Sequence, residues 1–112
     1  MSDSFSRFVV QTHETLEAAM LLIEENEHRS VIVADGEVVV GTLSDGDVRK
    51  AILDRRLLTT PVEQVMHTNF LSLTPDERER ARGLLQGGDF FLIPIVDDDG
   101  RLVDVETAYP SG

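Results

Sequence analysis

Four consecutive residues, Ser44-Asp45-Gly46-Asp47, concentrate most of the chemistry this chain offers. A β-rich run ends at Leu43 and helical periodicity begins with Val48, so the four stand where a strand hands over to a helix. At such a junction Ser44 is an N-cap, and Asp47, three residues on, closes a weak capping box. The same geometry also suits an anion. Free backbone N–H groups and the positive end of the helix dipole attract a phosphate, Ser44 adds a hydroxyl, and Gly46 removes a Cβ and permits close approach. Asp47 can then accept two hydrogen bonds from ribose hydroxyls. Spacing alone leaves the cap and the phosphate site both open.

Other candidates read more plainly. His28-Arg29, just before a strand that begins at Ser30, suits a solvated helix end, where basic side chains favour the negative end of the dipole. Asp97-Asp98-Asp99 precedes Gly100 on a tight turn; cation loops draw ligands from alternate positions, so a solvated turn is expected and no metal set is assigned. His13, His28 and His67 are scattered. There is no Gly-x-Ser-x-Gly elbow, no His-Glu-x-x-His pair and no Gly-x-x-x-x-Gly-Lys loop, so the segment itself is not expected to be an enzyme.

The elements that must position these residues follow from the pattern. Leu16, Ala19, Met20 and Ile23 mark one helix face capped by Thr15, and predict a helix from Thr15 to Glu27. The runs Ser30 to Ala34 and Val38 to Leu43, parted by Asp35-Gly36-Glu37, predict an antiparallel hairpin. Val48, Ala51 and Ile52 continue as a helix ending near Arg55-Arg56. With a first strand at Phe8 to Val10, the order is strand, helix, strand, strand, helix. Thr60-Pro61-Val62-Glu63 reads as a capping box with proline at the first helical position, and predicts a short linking helix over Val62 to Met66. The order then restarts: a strand at Phe70 to Leu73, a capping box at Thr74-Pro75-Asp76-Glu77, an apolar run Phe91 to Val96, a turn at Asp99-Gly100 and a last strand from Leu102. The internal offset is roughly 62 to 64 residues, read from pairs such as Asp35 with Asp99. After Thr107 the run Ala108-Tyr109-Pro110-Ser111-Gly112 leaves no room for a closing helix.

Composition bounds the partners. The chain has 112 residues, one domain's worth, and 10 Lys and Arg against 21 Asp and Glu give a net charge of −11, which opposes a nucleic-acid backbone. Cysteine is absent, which removes disulfides, thiolate metal sites and cysteine nucleophiles. No apolar run approaches the ~18 residues of a membrane span, and Met1-Ser2-Asp3-Ser4 lacks the basic start of a signal peptide. The expected compartment is the cytoplasm, with neither nucleic acid nor membrane as partner.

From about Phe8 to Thr107 the chain resembles a pair of CBS (cystathionine β-synthase) domains. The resemblance rests on Gly41-Thr42-Leu43-Ser44-Asp45-Gly46-Asp47-Val48-Arg49, on Val65-Met66-His67-Thr68-Asn69 and on Ile93-Pro94-Ile95-Val96-Asp97. It implies an α/β (α+β) fold of tandem β-α-β-β-α repeats with pseudo-twofold symmetry and a truncated second repeat. Residues 1–58 would be the first repeat, and 59–112 the linker helix and degenerate second one. The first motif is similar to that of CBS pairs attached to sugar-phosphate nucleotidyltransferases and sugar-phosphate isomerases, the former type being the better match. It implies a regulatory module ahead of a C-terminal nucleotidyltransferase domain, and a chain that is a segment of a longer protein. By the same resemblance Thr42, Ser44, Gly46 and Asp47 would contact an adenine nucleotide (AMP, ADP or ATP, a regulatory ligand and not a required cofactor), with His28 and Arg29 near its phosphates. The matching stretch Phe90-Phe91-Leu92 carries no charge, and Thr107-Ala108-Tyr109-Pro110 lacks the ribose-binding acid, so at most one complete site is expected. A homodimer through helix faces such as Val48, Ala51 and Ile52 is also implied. The alternative is a dimerisation module with no ligand, which the charge of −11 favours in the absence of a local basic patch.

Overall fold

The computed structural model describes residues 3–88 and 90–108. A 3-10 helix, Asp3–Phe8, leads into β1 (Val9–Gln11), α1 (Leu16–Asn26), β2 (Ser30–Asp35), β3 (Val38–Ser44) and α2 (Asp45–Leu53). The second unit holds 3-10 turns at Val62–Gln64 and Pro75–Glu77, then α3 (Glu79–Gln86), β4 (Leu92–Val96) and β5 (Leu102–Thr107). α1 carries the chain from β1 to its parallel neighbour β2, and β3 returns antiparallel to give the order β1-β2-β3. The second sheet is the antiparallel pair β4-β5.

Local chemistry explains the first unit. Thr15 Oγ1 accepts the Ala18 N–H at 3.2 Å and starts α1, which ends where Glu27 turns left-handed (φ 60°) and donates its N–H to Ile23 O. Leu16, Ala19 and Ile23 are buried against Val31, Val33 and Leu43 of the sheet and Val48 and Ala51 of α2. Gly36, at φ +65°, makes the tight β2–β3 turn. The other face of β2 is also covered: Ile32 joins Phe8, Val39, Leu92, Val96 and Leu102 in a core shared by both units. This two-sided burial is why the stretch Val31 to Ala34 within β2 reads as a continuous apolar run and not an alternating one. A bulge makes the sharing possible. Val33 pairs with Gly41 but Ala34 with Val39, so Val40 is the extra residue and Val39 is turned to the shared core while Leu43 faces the helices.

The hairpins repeat this device. In the second, Ile95 pairs with Asp104 but Val96 with Leu102, leaving Val103 as the bulge. The registers put Val33 opposite the role of Ile95, 62 residues on, and Gly41 that of Asp104, 63 on. Asp35 therefore matches Asp97, and the expected match to Asp99 is displaced because the second turn is longer. The hairpin tips join the units: Val39 N–H donates to Gly100 O at 3.0 Å and Leu102 N–H to Glu37 O at 2.9 Å.

Two expected elements differ. The segment Phe70 to Leu73 is no strand; only Leu73 bridges, donating to Pro94 O at 3.1 Å and accepting from Val96 N–H at 2.8 Å. Pro94 has no N–H to return one rung earlier, which ends the ladder there. Over Val62 to Met66 the chain makes one 3-10 turn, with Pro61 as its cap residue and no side-chain cap. The preceding residues are already engaged, since Thr60 O accepts the Leu16 N–H at 2.8 Å and Val62 N–H donates to Glu14 O at 2.8 Å. In the second unit Glu77 Oε1 does accept both the amide and the hydroxyl of Thr74, at 3.1 and 3.2 Å. Residues 109–112, including Tyr109 and Pro110, lie outside the described residues, so the expected truncation is not addressed there. No helix among the described residues is long and apolar enough to cross a membrane.

Candidate functional site

The junction of β3 and α2 is built by its cap. Ser44 Oγ accepts the Asp47 N–H at 3.2 Å, and Asp47 Oδ2 accepts the Ser44 N–H at 2.9 Å and its hydroxyl at 3.1 Å. The capping box is thus complete, yet it does not exhaust Asp47, because both bonds fall on Oδ2 and Oδ1 keeps its lone pairs. Two residues before Ser44, Thr42 exchanges main-chain bonds with His67: its N–H donates to His67 O at 3.0 Å, and its carbonyl accepts the His67 N–H at 2.8 Å. This lays the linker along the outer edge of β3. The approach is close, since a Cβ on Gly41 would lie 2.6 Å from Met66 Sδ and 3.1 Å from His67 O.

These contacts leave a cleft of about 300 Å³ between the units. Thr42, Ser44 and Asp47 line one wall, His67 and Asn69 the linker side, and Phe70, Phe90 and Phe91 the wall from the second unit. Arg29 stands beside it. Its guanidinium lies 5.5 Å from the Phe91 ring centroid, and its carbonyl accepts the Asp45 N–H at 2.9 Å, so it ties the first turn of α2 to the opposite wall. Arg29 holds a left-handed backbone (φ 61°), which costs a non-glycine residue energy and fixes the exit of its side chain.

The structure does not bring His28 to this cleft. His28 is buried, donates its N–H to Asn26 Oδ1 at 2.8 Å, places Nδ1 2.5 Å from Asn26 O and meets the Phe8 ring edge-on at 5.4 Å. That environment closes the end of α1. Gly46 is exposed, and a Cβ there would meet only Ser44 Oγ at 3.6 Å, an ordinary contact, so packing within the chain does not demand glycine. The aromatic wall and His67 were not legible as site residues because their partners come from the other unit. The uncharged Phe90-Phe91 stretch, read as a missing phosphate contact, was the available signal, since paired rings offer a stacking surface.

Neighbouring features fall into place. A hollow of about 260 Å³ shares Asp47 and His67 with the cleft and is lined further by Lys50, Asp54 and Arg56. A larger one, about 720 Å³, lies between α3 and the end of β5, where Thr107 stands opposite Leu92 as Ser44 stands opposite Ser30. At the acidic turn Asp97 Oδ1 accepts the N–H groups of Asp99 and Arg101, both at 2.9 Å, and Asp99 pairs with Arg101 at 3.5 Å. Among the described residues no group of three or more acidic or histidine side chains is placed to hold a metal ion.

The strand order, the Ser-x-x-Asp junction and the cleft between units coincide with a family match: the CBS domain model fits residues 4–54. Residues 4–54 form a CBS domain. The CBS fold extends over the chain, which superposes on AcuB from Vibrio cholerae with a TM-score of 0.77 and 28% identity, covering 89% of this chain and 76% of that one. A CBS domain protein from Pyrobaculum aerophilum, complexed with AMP, shares the fold at a TM-score of 0.70 and 14% identity, covering 89% and 79% of the two chains. Among curated proteins, arabinose 5-phosphate isomerase GutQ from Salmonella typhi is 32% identical over 99 residues, 84% of this chain. The chain spans 31% of that enzyme's length.

Proposed function

We propose that this chain is a regulatory CBS pair, with residues 1–58 and 59–112 as its repeats, that binds one adenine nucleotide between them and biases a sugar-phosphate enzyme fused to it or bound by it. The observation that carries this reading is the convergence of Thr42 and Asp47, whose Oδ1 takes no part in the capping box, from the first unit with Phe90 and Phe91 from the second in one cleft. An acceptor for a ribose diol there faces rings that can stack on a base. A ligand gripped by both walls prefers one relative placement of the units, and that preference is what coupling to a catalytic domain requires. The AMP complex of a protein with the same fold supports the adenine nucleotide, and the isomerase relative supports the class of catalytic partner. A sugar-phosphate isomerase is accordingly favoured over the nucleotidyltransferase that the motif also admits. The cytoplasm, which holds both nucleotide and sugar-phosphate pools, is the compartment that fits.

Calorimetry with AMP on wild type, Asp47→Ala and Thr107→Ala tests the site. Loss of a charged acceptor should weaken binding by ~1.5–3 kcal/mol, or roughly 10- to 150-fold, while Thr107→Ala leaves it unchanged. Equal affinity for wild type and Asp47→Ala, with folding intact, removes Asp47 from the site. A second reading, a dimerisation module without ligand, draws on Ser44 and Asp47 already satisfying each other and on the exposure of Ile52 (46%), Leu53 (76%) and Leu57 (72%). Of the face expected to form a homodimer, Val48 and Ala51 are buried in the chain's own core and Ile52 alone is exposed, so a homodimer, which fits either reading, would use Ile52, Leu53 and Leu57 instead.

A further inference from the structure

The charges around the cleft bear on which nucleotide it takes, given the binding role proposed above. None of the described residues lining the cleft is Lys or Arg, and Asp47 contributes a carboxylate. The helix N-terminus that would meet a phosphate is largely spent. Asp45 N–H donates to Arg29 O at 2.9 Å, Asp47 N–H to Ser44 Oγ at 3.2 Å and Ser44 N–H to Asp47 Oδ2 at 2.9 Å, which leaves the Gly46 N–H for a ligand. Two acids in the first turn, Asp45 and Asp47, already offset the positive end of the dipole. One cation, Arg29, stands at the rim over Phe91. The nearby cations Lys50 and Arg56 open not onto the cleft but onto the adjoining hollow beside Asp54, with Asp47 and His67 bordering both spaces.

We infer that the cleft selects a nucleoside bearing at most one phosphate, and that each further phosphate weakens binding. One amide and one guanidinium match one phosphate. A second or third adds negative charge beside Asp45 and Asp47 with no cation in the cleft to receive it, in a chain whose net charge is already −11. Each should cost roughly two- to fivefold in affinity, the size of a single-charge effect at a helix terminus.

Titration calorimetry of the full chain with adenosine, AMP, ADP and ATP, in magnesium-free buffer so that phosphate charge is not masked, tests this. The expected result is that adenosine or AMP binds tightest and that ADP and then ATP follow in order. Asp45→Asn should leave AMP binding within about twofold and narrow the AMP-to-ATP gap by roughly two- to fivefold. ADP or ATP binding as tightly as AMP overturns the selectivity and leaves the nucleotide site standing. Binding by none of the four overturns both.

Discussion

Replacing Gly41 by alanine probes the contact that holds the linker, and with it one side of the cleft, against β3. The added Cβ would stand 2.6 Å from Met66 Sδ, 2.9 Å from Met66 Cγ and 3.1 Å from His67 O. Methionine is unbranched and can swing away, so the first two overlaps relax cheaply. The carbonyl cannot, because the bond pair at 3.0 and 2.8 Å ties His67 to Thr42. Overpacking of this kind costs about 1–3 kcal/mol, and in a domain of this size each kcal/mol lowers Tm by roughly 4–8 °C. Urea unfolding of wild type, Gly41→Ala, Met66→Ala and the double variant separates the two sources. The double-mutant cycle should show only a small coupling between Gly41→Ala and Met66→Ala, because the thioether relaxes cheaply, and leave the carbonyl part as most of the loss. AMP affinity should fall in Gly41→Ala, since His67 and Asn69 move with the linker. A Gly41→Ala protein with an unchanged urea midpoint would refute the argument and detach the linker from the edge of β3.

Three further outcomes are expected. Thr15→Ala, which removes the acceptor for Ala18 N–H, should destabilise by about 1 kcal/mol in thermal unfolding. Glu27→Gly, which relieves a left-handed residue at the end of α1, should stabilise by about 0.5–1 kcal/mol; a lower Tm would count against the strain. Glu77 is held below the ordinary carboxylate range by the Thr74 amide, then its hydroxyl, then Arg80, so its cap is present above the unfolded-state value and is lost as pH falls through the lower folded one. Carbon-detected NMR should find Glu77 titrating below a glutamate of the unfolded chain, and most of that shift should be lost in Thr74→Pro, the part due to Arg80 remaining.

Local signals in the sequence carried the first unit. Thr15 as cap, the apolar face of α1, the Asp-Gly turn and the Ser44–Asp47 box each depend on residues within a few positions of one another, and each stands where the sequence puts it within a residue or two. What failed depended on partners far along the chain. Phe70 to Leu73 alternates like a strand, but Pro94, some twenty residues on, withholds the amide a full ladder needs. Thr60 and Pro61 resemble a helix start, but the start of α1 and the residues just before it engage the Thr60 carbonyl and the Val62 N–H. The site divides in the same way: Thr42, Ser44 and Asp47 were legible because one strand–helix junction holds them. The burial of His28 against Phe8 and the reach of Arg29 to Phe91 are tertiary contacts that no local pattern encodes.

The two-sided burial of β2 governs how this molecule would behave in pieces. One strand walls two cores, so neither unit owns a complete interior. A nick in the exposed stretch between Leu53 and Thr59 cuts no strand, yet separating the fragments would bare Ile32 and Val39 on one and Leu92, Val96 and Leu102 on the other. Such fragments should be poorly folded alone and should reassemble when mixed, because each supplies the surface the other lacks. Fused to the halves of a split reporter and cut at that loop, the chain becomes a complementation pair whose reassembly is strengthened by any ligand that grips both walls of the cleft.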